Sequence, residues 1–261
     1  VEGINLGGGI VKKLLLWAGT IFFALTLYFS FINSAKYLGG YVPTAALLAL
    51  VVLVVVLAAH LLARRLTQKQ FIILLLLVGF GFRVYWILLI DTPPVSDFLD
   101  MHNAALQAAK GDFSFGRSEY YSRWVYQLGF TIYEALIVKL FGAPIIILKL
   151  FNAVFNVGTA FVVYLTAAKL FNELSGRIAS FLYALYVPNI IMCSVLTNQH
   201  VSTFFFSLGC YLLVRKGLVP KYSWIWVGLL FALGNMMSLW AFSSLRDSSF
   251  TPCFSCCGRG G

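Results

Sequence analysis

The sequence predicts an all-α protein that crosses a membrane several times, and three observations carry this. Hydrophobic residues make up 61% of the chain and charged residues only 11%, whereas a soluble domain has roughly 25% charged residues. Mean hydropathy is +0.89. Three apolar runs, 14–32, 45–62 and 71–90, each approach the ~20 residues that a helix needs to cross a bilayer. The basic residues that give the net charge of +10 sit mainly between apolar runs, where they orient a membrane protein. That placement argues against nucleic acid as a partner.

The first run is too aromatic, and too far from an A-x-A-like site, to be a cleaved signal peptide, so it is expected to remain as a helix. Lys12 and Lys13 precede it, and Arg64, Arg65 and Lys69 separate the second run from the third. Placing both clusters in the cytoplasm puts the N-terminus inside and Asp91 outside. The stretch 91–123 is then extracytoplasmic and holds Asp91, Asp97, Asp100, Asp112 and Glu119.

The next apolar stretch, 124–141, carries Gln127, Thr131 and Glu134 at i, i+4 and i+7, a polar stripe along one helix face. If it spans, Lys169, Arg177, Arg215, Lys216 and Lys221 all face outward. If it lies along the outer interface, all five are cytoplasmic, so the interfacial reading is preferred. Later helices are expected over 144–168, 176–196 with a kink at Pro188, 201–214 and 222–240. The turn 197–200 then faces the same compartment as 91–123. The expected organisation is membrane helices over 1–69, a core over 70–240 whose outer loop is 91–143, and an aberrant, disordered tail over 241–261. In that tail Cys253, Cys256 and Cys257 offer fewer sulfur ligands than the four of a structural zinc site. Cys193 and Cys210, inside apolar segments, read as small core residues.

Candidate chemistry gathers in the outer loop. Pro93 and Pro94 stop the third helix, and a short helix follows with Phe98, Met101, Ala105 and Ala108 on one face, ended by Gly111. Asp97 stands where a helix N-cap is expected. It is equally placed to be a carboxylate that takes a proton from an acceptor hydroxyl at the membrane surface, with Asp100 as a nearby alternative. Arg83 lies about two turns inside the third helix, where a charge must snorkel or find a partner. Asp97 and an anionic ligand are the candidate partners. Arg123 could bind phosphate or stand solvated among headgroups. Gln199 and His200 fall in the second outer turn.

The segment Pro94-Val95-Ser96-Asp97-Phe98, with Ala104-Ala105 and Gly111-Asp112, resembles the first extracytoplasmic loop of C-type-fold (GT-C) membrane glycosyltransferases. These are the polyprenyl-phosphate-sugar-dependent enzymes related to protein O-mannosyltransferases and lipid A aminoarabinose transferases. The resemblance continues through 121–130, Leu148-Lys149-Leu150-Phe151-Asn152-Ala153 and Leu196-Thr197-Asn198-Gln199-His200, and covers about 71–234. It implies a GT-C-like helical bundle that transfers a sugar from a polyprenyl-phosphate donor to an acceptor on the outer face of a bacterial cell membrane, with inversion. Asp97 matches the catalytic aspartate, and Arg83, Arg123, Gln199 and His200 become candidate contacts to donor phosphate or acceptor. Many relatives carry an acidic residue in the second loop, where this chain has Gln199-His200. No cofactor is therefore expected with certainty, and a divalent metal stays open. The implied partners are the lipid-linked sugar, membrane lipid and the outer-face acceptor. From the change of composition near Ser238, the chain is expected to hold only the N-terminal portion of such a fold and to be inactive alone. Two rivals remain, a transporter of lipid-linked saccharides or small molecules and a non-catalytic membrane subunit.

Overall fold

In the computed structural model, residues 3–215 and 223–238 are described. The side chains of Lys12, Lys13 and Arg64, the residues Lys216 and Lys221, and the 241–261 tail with Cys253, Cys256 and Cys257 lie outside the described residues. Every regular element among the described residues is helical. Among the described residues four helices are long and apolar enough to cross a membrane, as an integral membrane protein requires.

Two units divide the chain at Ala58/Ala59. The first holds α1 (Gly3–Tyr37) and the greater part of α2 (Tyr41–Arg65). Between them Gly39 and Gly40 turn the chain with φ of 78° and 124°, angles at which a Cβ is strained. The Thr44 hydroxyl donates to the Gly40 carbonyl at 2.7 Å, and Phe31 stacks on Tyr41. Only 6% of the apolar window of either helix is buried. Such a surface is stable against lipid and untenable in water.

The second unit is built around α7 (Ile145–Leu170), which packs against α3 (Gln68–Leu89), α8 (Glu173–Ala184) and α10 (Gln199–Val214). α3 begins with a reciprocal cap. The Thr67 amide donates to Gln70 Oε1 at 3.0 Å, and the Gln70 amide to Thr67 Oγ1 at 3.4 Å. Its buried residues Phe71, Leu75, Gly79, Arg83 and Ile87 recur every fourth position, a single stripe that meets α7. Phe71 and Leu75 join Ala160, Tyr164 and Ala184 in one core cluster. Gly176 lets α8 fold tightly onto α7, since a Cβ there would lie 2.9 Å from the Tyr164 carbonyl oxygen.

A second layer comprises α4 (Asp97–Ala109), α5 (Glu119–Arg123), α6 (Gln127–Phe141) and α11 (Ser223–Met237). Met101, Phe130, Val201 and Met237 pack into one cluster there, bringing α4, α6, α10 and α11 together. Gly129 is required at the α6–α11 crossing, because a Cβ there would collide with the Met236 carbonyl.

One expectation is corrected here. The stretch 176–196 is not one kinked helix. It divides into α8 and the short α9 (Val187–Met192), with Leu185 and Tyr186 between them. Pro188 falls in the first turn of α9, where its missing N–H has no helical partner to lose. The polar stripe of α6 faces the interior of the protein. Thr131 and Glu134 are fully buried, while Ile132, Leu136 and Leu140 form the exposed face. The stripe is polar because it meets α4, α5 and the start of α10. The 201–214 and 222–240 expectations appear as α10 and α11, which have 16 and 15 residues.

Candidate active site

Asp97 is the first residue of α4, and Ser96 is the N-cap, so the expected assignment of the cap to Asp97 is corrected. Ser96 makes no side-chain cap bond. Its backbone stands at φ 52°, the only non-glycine residue with positive φ among those described. Such a conformation costs of order 1–3 kcal/mol and persists only when its surroundings hold it. The strained residue thus directly precedes the candidate base. Asp97 and Asp100 are both exposed in the first turn of α4, where the helix dipole favours negative charge.

The rear of α4 is anchored. Met101, His102, Ala104, Ala105 and Ala108 are buried, the small alanines allowing α4 to lie close on α6. Behind Asp97 and Asp100 stands Tyr120, whose buried hydroxyl has no hydrogen-bond partner. Burial first, and then the charges of Asp97, Tyr121, Tyr126 and Asp100, push its ionisation far above the ordinary tyrosine range. It stays a neutral phenol.

Deeper between α4 and α6, His102 Nδ1 lies 3.7 Å from Glu134 Oε2. Both side chains are buried, and neither Glu134 oxygen has a hydrogen-bond partner. Burial raises the Glu134 pKa, and His102 offsets this only in part. Beside them the Thr131 hydroxyl donates to the Gln127 carbonyl at 3.0 Å. The Tyr121 hydroxyl must then donate to Thr131 Oγ1, at 2.7 Å. Asn198 Nδ2 links Gln127 Oε1 at 3.1 Å and the Met237 carbonyl at 2.9 Å. The stripe on α6 is therefore a set of polar clamps holding α4, α5, α10 and α11 together.

Arg83 belongs elsewhere. It neither snorkels nor meets Asp97. Its guanidinium is fully buried and donates to Asn156 Oδ1 from Nε at 2.9 Å and from Nη2 at 2.6 Å. Nη1 donates to the carbonyls of Gly79 at 2.8 Å and Ala184 at 3.1 Å. Because arginine only donates, the Asn156 carbonyl must face it, so the Asn156 amide donates to His200 Nδ1 at 2.9 Å. That fixes a neutral His200 with its proton on Nε2. Arg83, Asn156 and His200 form one line inside the bundle, and the third member is buried rather than presented at the surface. Gln199 is exposed beside it. Arg123 is exposed and paired with Glu119 one turn away, an ion pair that an anion could open at little cost. Among the described residues no three His, Cys, Asp or Glu side chains come together as metal ligands.

Asp97 and Asp100 thus share the exposed first turn of α4, Arg123 stands exposed at the end of α5 beside Glu119, and Arg83 and His200 are buried inside the bundle. His102 and Glu134 were not singled out as a pair from the sequence. The available signal was a lone carboxylate in a largely apolar helix. Asn152 and Asn156, one turn apart in the apolar run of α7, were the corresponding signal for the partner of Arg83.

Comparison with known families matches residues 129–241 to the family described as dolichyl-phosphate-mannose-protein mannosyltransferase. The match runs from α6 to just past α11 and begins after Asp97. No curated protein and no solved structure matches the chain.

Proposed function

We propose, from the match of residues 129–241 to the family described as dolichyl-phosphate-mannose-protein mannosyltransferase, that the chain is a membrane glycosyltransferase. It takes its sugar from a polyprenyl-phosphate carrier and delivers it to a hydroxyl-bearing acceptor on the outer face. The observation that carries this reading is the packing of α4, with the exposed Asp97 at its tip, directly on the family-matching α6.

Asp97 acts as the general base. Its carboxylate takes the acceptor hydroxyl proton while the acceptor oxygen bonds to the anomeric carbon. The bond from that carbon to the phosphate oxygen breaks, and the lipid phosphate leaves with the electron pair. A single displacement inverts the anomeric configuration. Asp100, one turn along, is the alternative base. Arg123 attends the departing phosphate once it leaves Glu119. Arg83 holds the bundle, since its donors are turned to Asn156, Gly79 and Ala184. Those same bonds argue against transport, which needs polar groups lining a path. The overall reading is a GT-C-like bundle with its N-terminus inside and α6 lying at the outer surface.

The test is transfer from a panel of sugar donors by membranes carrying the protein at its full natural length. Transfer from polyprenyl-phosphate sugars, and none from nucleotide sugars, is expected. Transfer from nucleotide sugars after the lipid-linked pool is removed would overturn the proposal.

A further inference from the structure

A cleft of about 360 Å³ opens between the Leu89 end of α3 and the start of α7. At its base is Lys149, whose side chain is only 5% exposed. The ammonium donates to Thr92 Oγ1 at 3.1 Å. The Thr92 hydroxyl proton is already given to the Ser194 carbonyl at 2.5 Å, so Thr92 can only accept from Lys149. Asp91 Oδ1 lies 3.9 Å from the ammonium, beyond hydrogen-bonding distance, and its side chain is 96% exposed. An ammonium carries three N–H groups, and among the described residues only one of these has a hydrogen-bond acceptor. A buried ammonium in that state is costly unless an anion completes it.

The walls say which kind of anion fits. Ile87, Leu88, Ile145 and Ile146 line the cleft, and Leu88 is largely exposed, so the cleft is open to the lipid around α3 and α7. The N-cap of α7, Pro144, makes no side-chain cap bond, and although the Ile147 amide donates to the Pro144 carbonyl, the helix N-terminus adds to a positive field. Asp91 places a carboxylate at the mouth, in front of the cation. A purely anionic headgroup would meet that carboxylate. A headgroup with a phosphate and a primary amine satisfies both ends, the phosphate on Lys149 and the amine on Asp91.

We propose that Lys149, Thr92 and Asp91 form a site for the phosphoethanolamine headgroup of a bilayer phospholipid, its acyl chains running along the apolar walls. A choline headgroup carries no N–H to give Asp91, and a glycerol headgroup offers no cation. The site does not depend on the glycosyltransferase reading. A lipid seated there would brace the 91–96 segment that leads into Asp97.

The test uses the whole chain in nanodiscs made from equal parts of phosphatidylethanolamine, phosphatidylglycerol and phosphatidylcholine, with native mass spectrometry of the lipids kept on release. Retention of phosphatidylethanolamine over the other two by about fivefold to tenfold is expected, the effect of one charge-assisted hydrogen bond. Asp91→Asn should remove the preference while phospholipid is still retained, and Lys149→Gln should lower retention of all three. Because Asp91 is exposed, its variant reports even if Lys149→Gln fails to fold. Equal retention by the parent chain, or an unchanged preference in Asp91→Asn, would overturn the proposal. Displacement of the lipid by an equal amount of polyprenyl phosphate would also overturn it and reassign the cleft to a donor phosphate.

Discussion

Replacing Asn156 by leucine leaves the Arg83 guanidinium inside the bundle without its main acceptor. Asn156 Oδ1 receives two of the Arg83 hydrogen bonds, at 2.9 and 2.6 Å, each of a kind worth about 1.5–3 kcal/mol when one partner is charged. The Gly79 and Ala184 carbonyls still hold Nη1, so the two losses do not simply add. Leaving a buried polar group unsatisfied costs about 1–3 kcal/mol, and more when the group is charged, so about 3 kcal/mol is the expected destabilisation of Asn156→Leu. His200 loses the donor to its Nδ1 in the same variant. The double variant Arg83→Met/Asn156→Leu removes the charge along with its acceptor and should be less destabilised than Asn156→Leu alone. Reversible unfolding in mixed micelles, followed by tryptophan fluorescence, measures all three. A cost below about 1 kcal/mol for Asn156→Leu, or a double variant as unstable as the single one, would refute a buried charge balanced by this amide.

Three further outcomes follow from the second layer. Because burial raises the Glu134 pKa in the fold, its contribution is fully present below the ordinary glutamate value of about 4.3 and is lost as pH rises toward the folded value. Glu134→Gln should therefore gain stability relative to the parent as pH increases from acid to neutral, and a pH-independent difference would contradict the buried acid. Gly129→Val drives side-chain atoms into the Met236 carbonyl region and should cost about 1–3 kcal/mol by overpacking, read in the same unfolding assay; unchanged stability would refute the close crossing. In a cysteine-free background, Asp112→Cys should label from outside intact cells and Phe171→Cys only after permeabilisation. Labelling of both from outside would mean that α6 spans the membrane.

The membrane helices were legible because lipid imposes a length and a composition that few other demands produce. The runs at 45–62 and 71–90 fall inside α2 and one residue past α3, and the faces of α4 followed the 3.6-residue period of Met101, Ala105 and Ala108. Periodicity identifies a face but not what it meets. Gln127, Thr131 and Glu134 are polar for α4, α5 and α10, and a stripe meeting water would read the same. Arg83 was recognisable as a charge needing a partner, yet Asn156 lies 73 positions away and only the fold brings them together. Pro188 marked a disturbance, while the helix ends a few residues earlier, at Ala184. Asp97 came from a local pattern of prolines, carboxylates and alanines. The strain at Ser96 beside it leaves no trace in residue type.

The central claim, that Asp97 is the base of a lipid-linked sugar transfer, is met most directly by one comparison. Sugar transfer from a polyprenyl-phosphate donor is measured in membranes carrying equal amounts of parent protein and of Asp97→Asn, both at full natural length. Asparagine keeps the size of the side chain and its place at the start of α4, but it cannot take the acceptor proton. The account predicts that transfer falls by about 10²–10⁴-fold while the variant still binds donor. Parental rates of transfer from Asp97→Asn would contradict it.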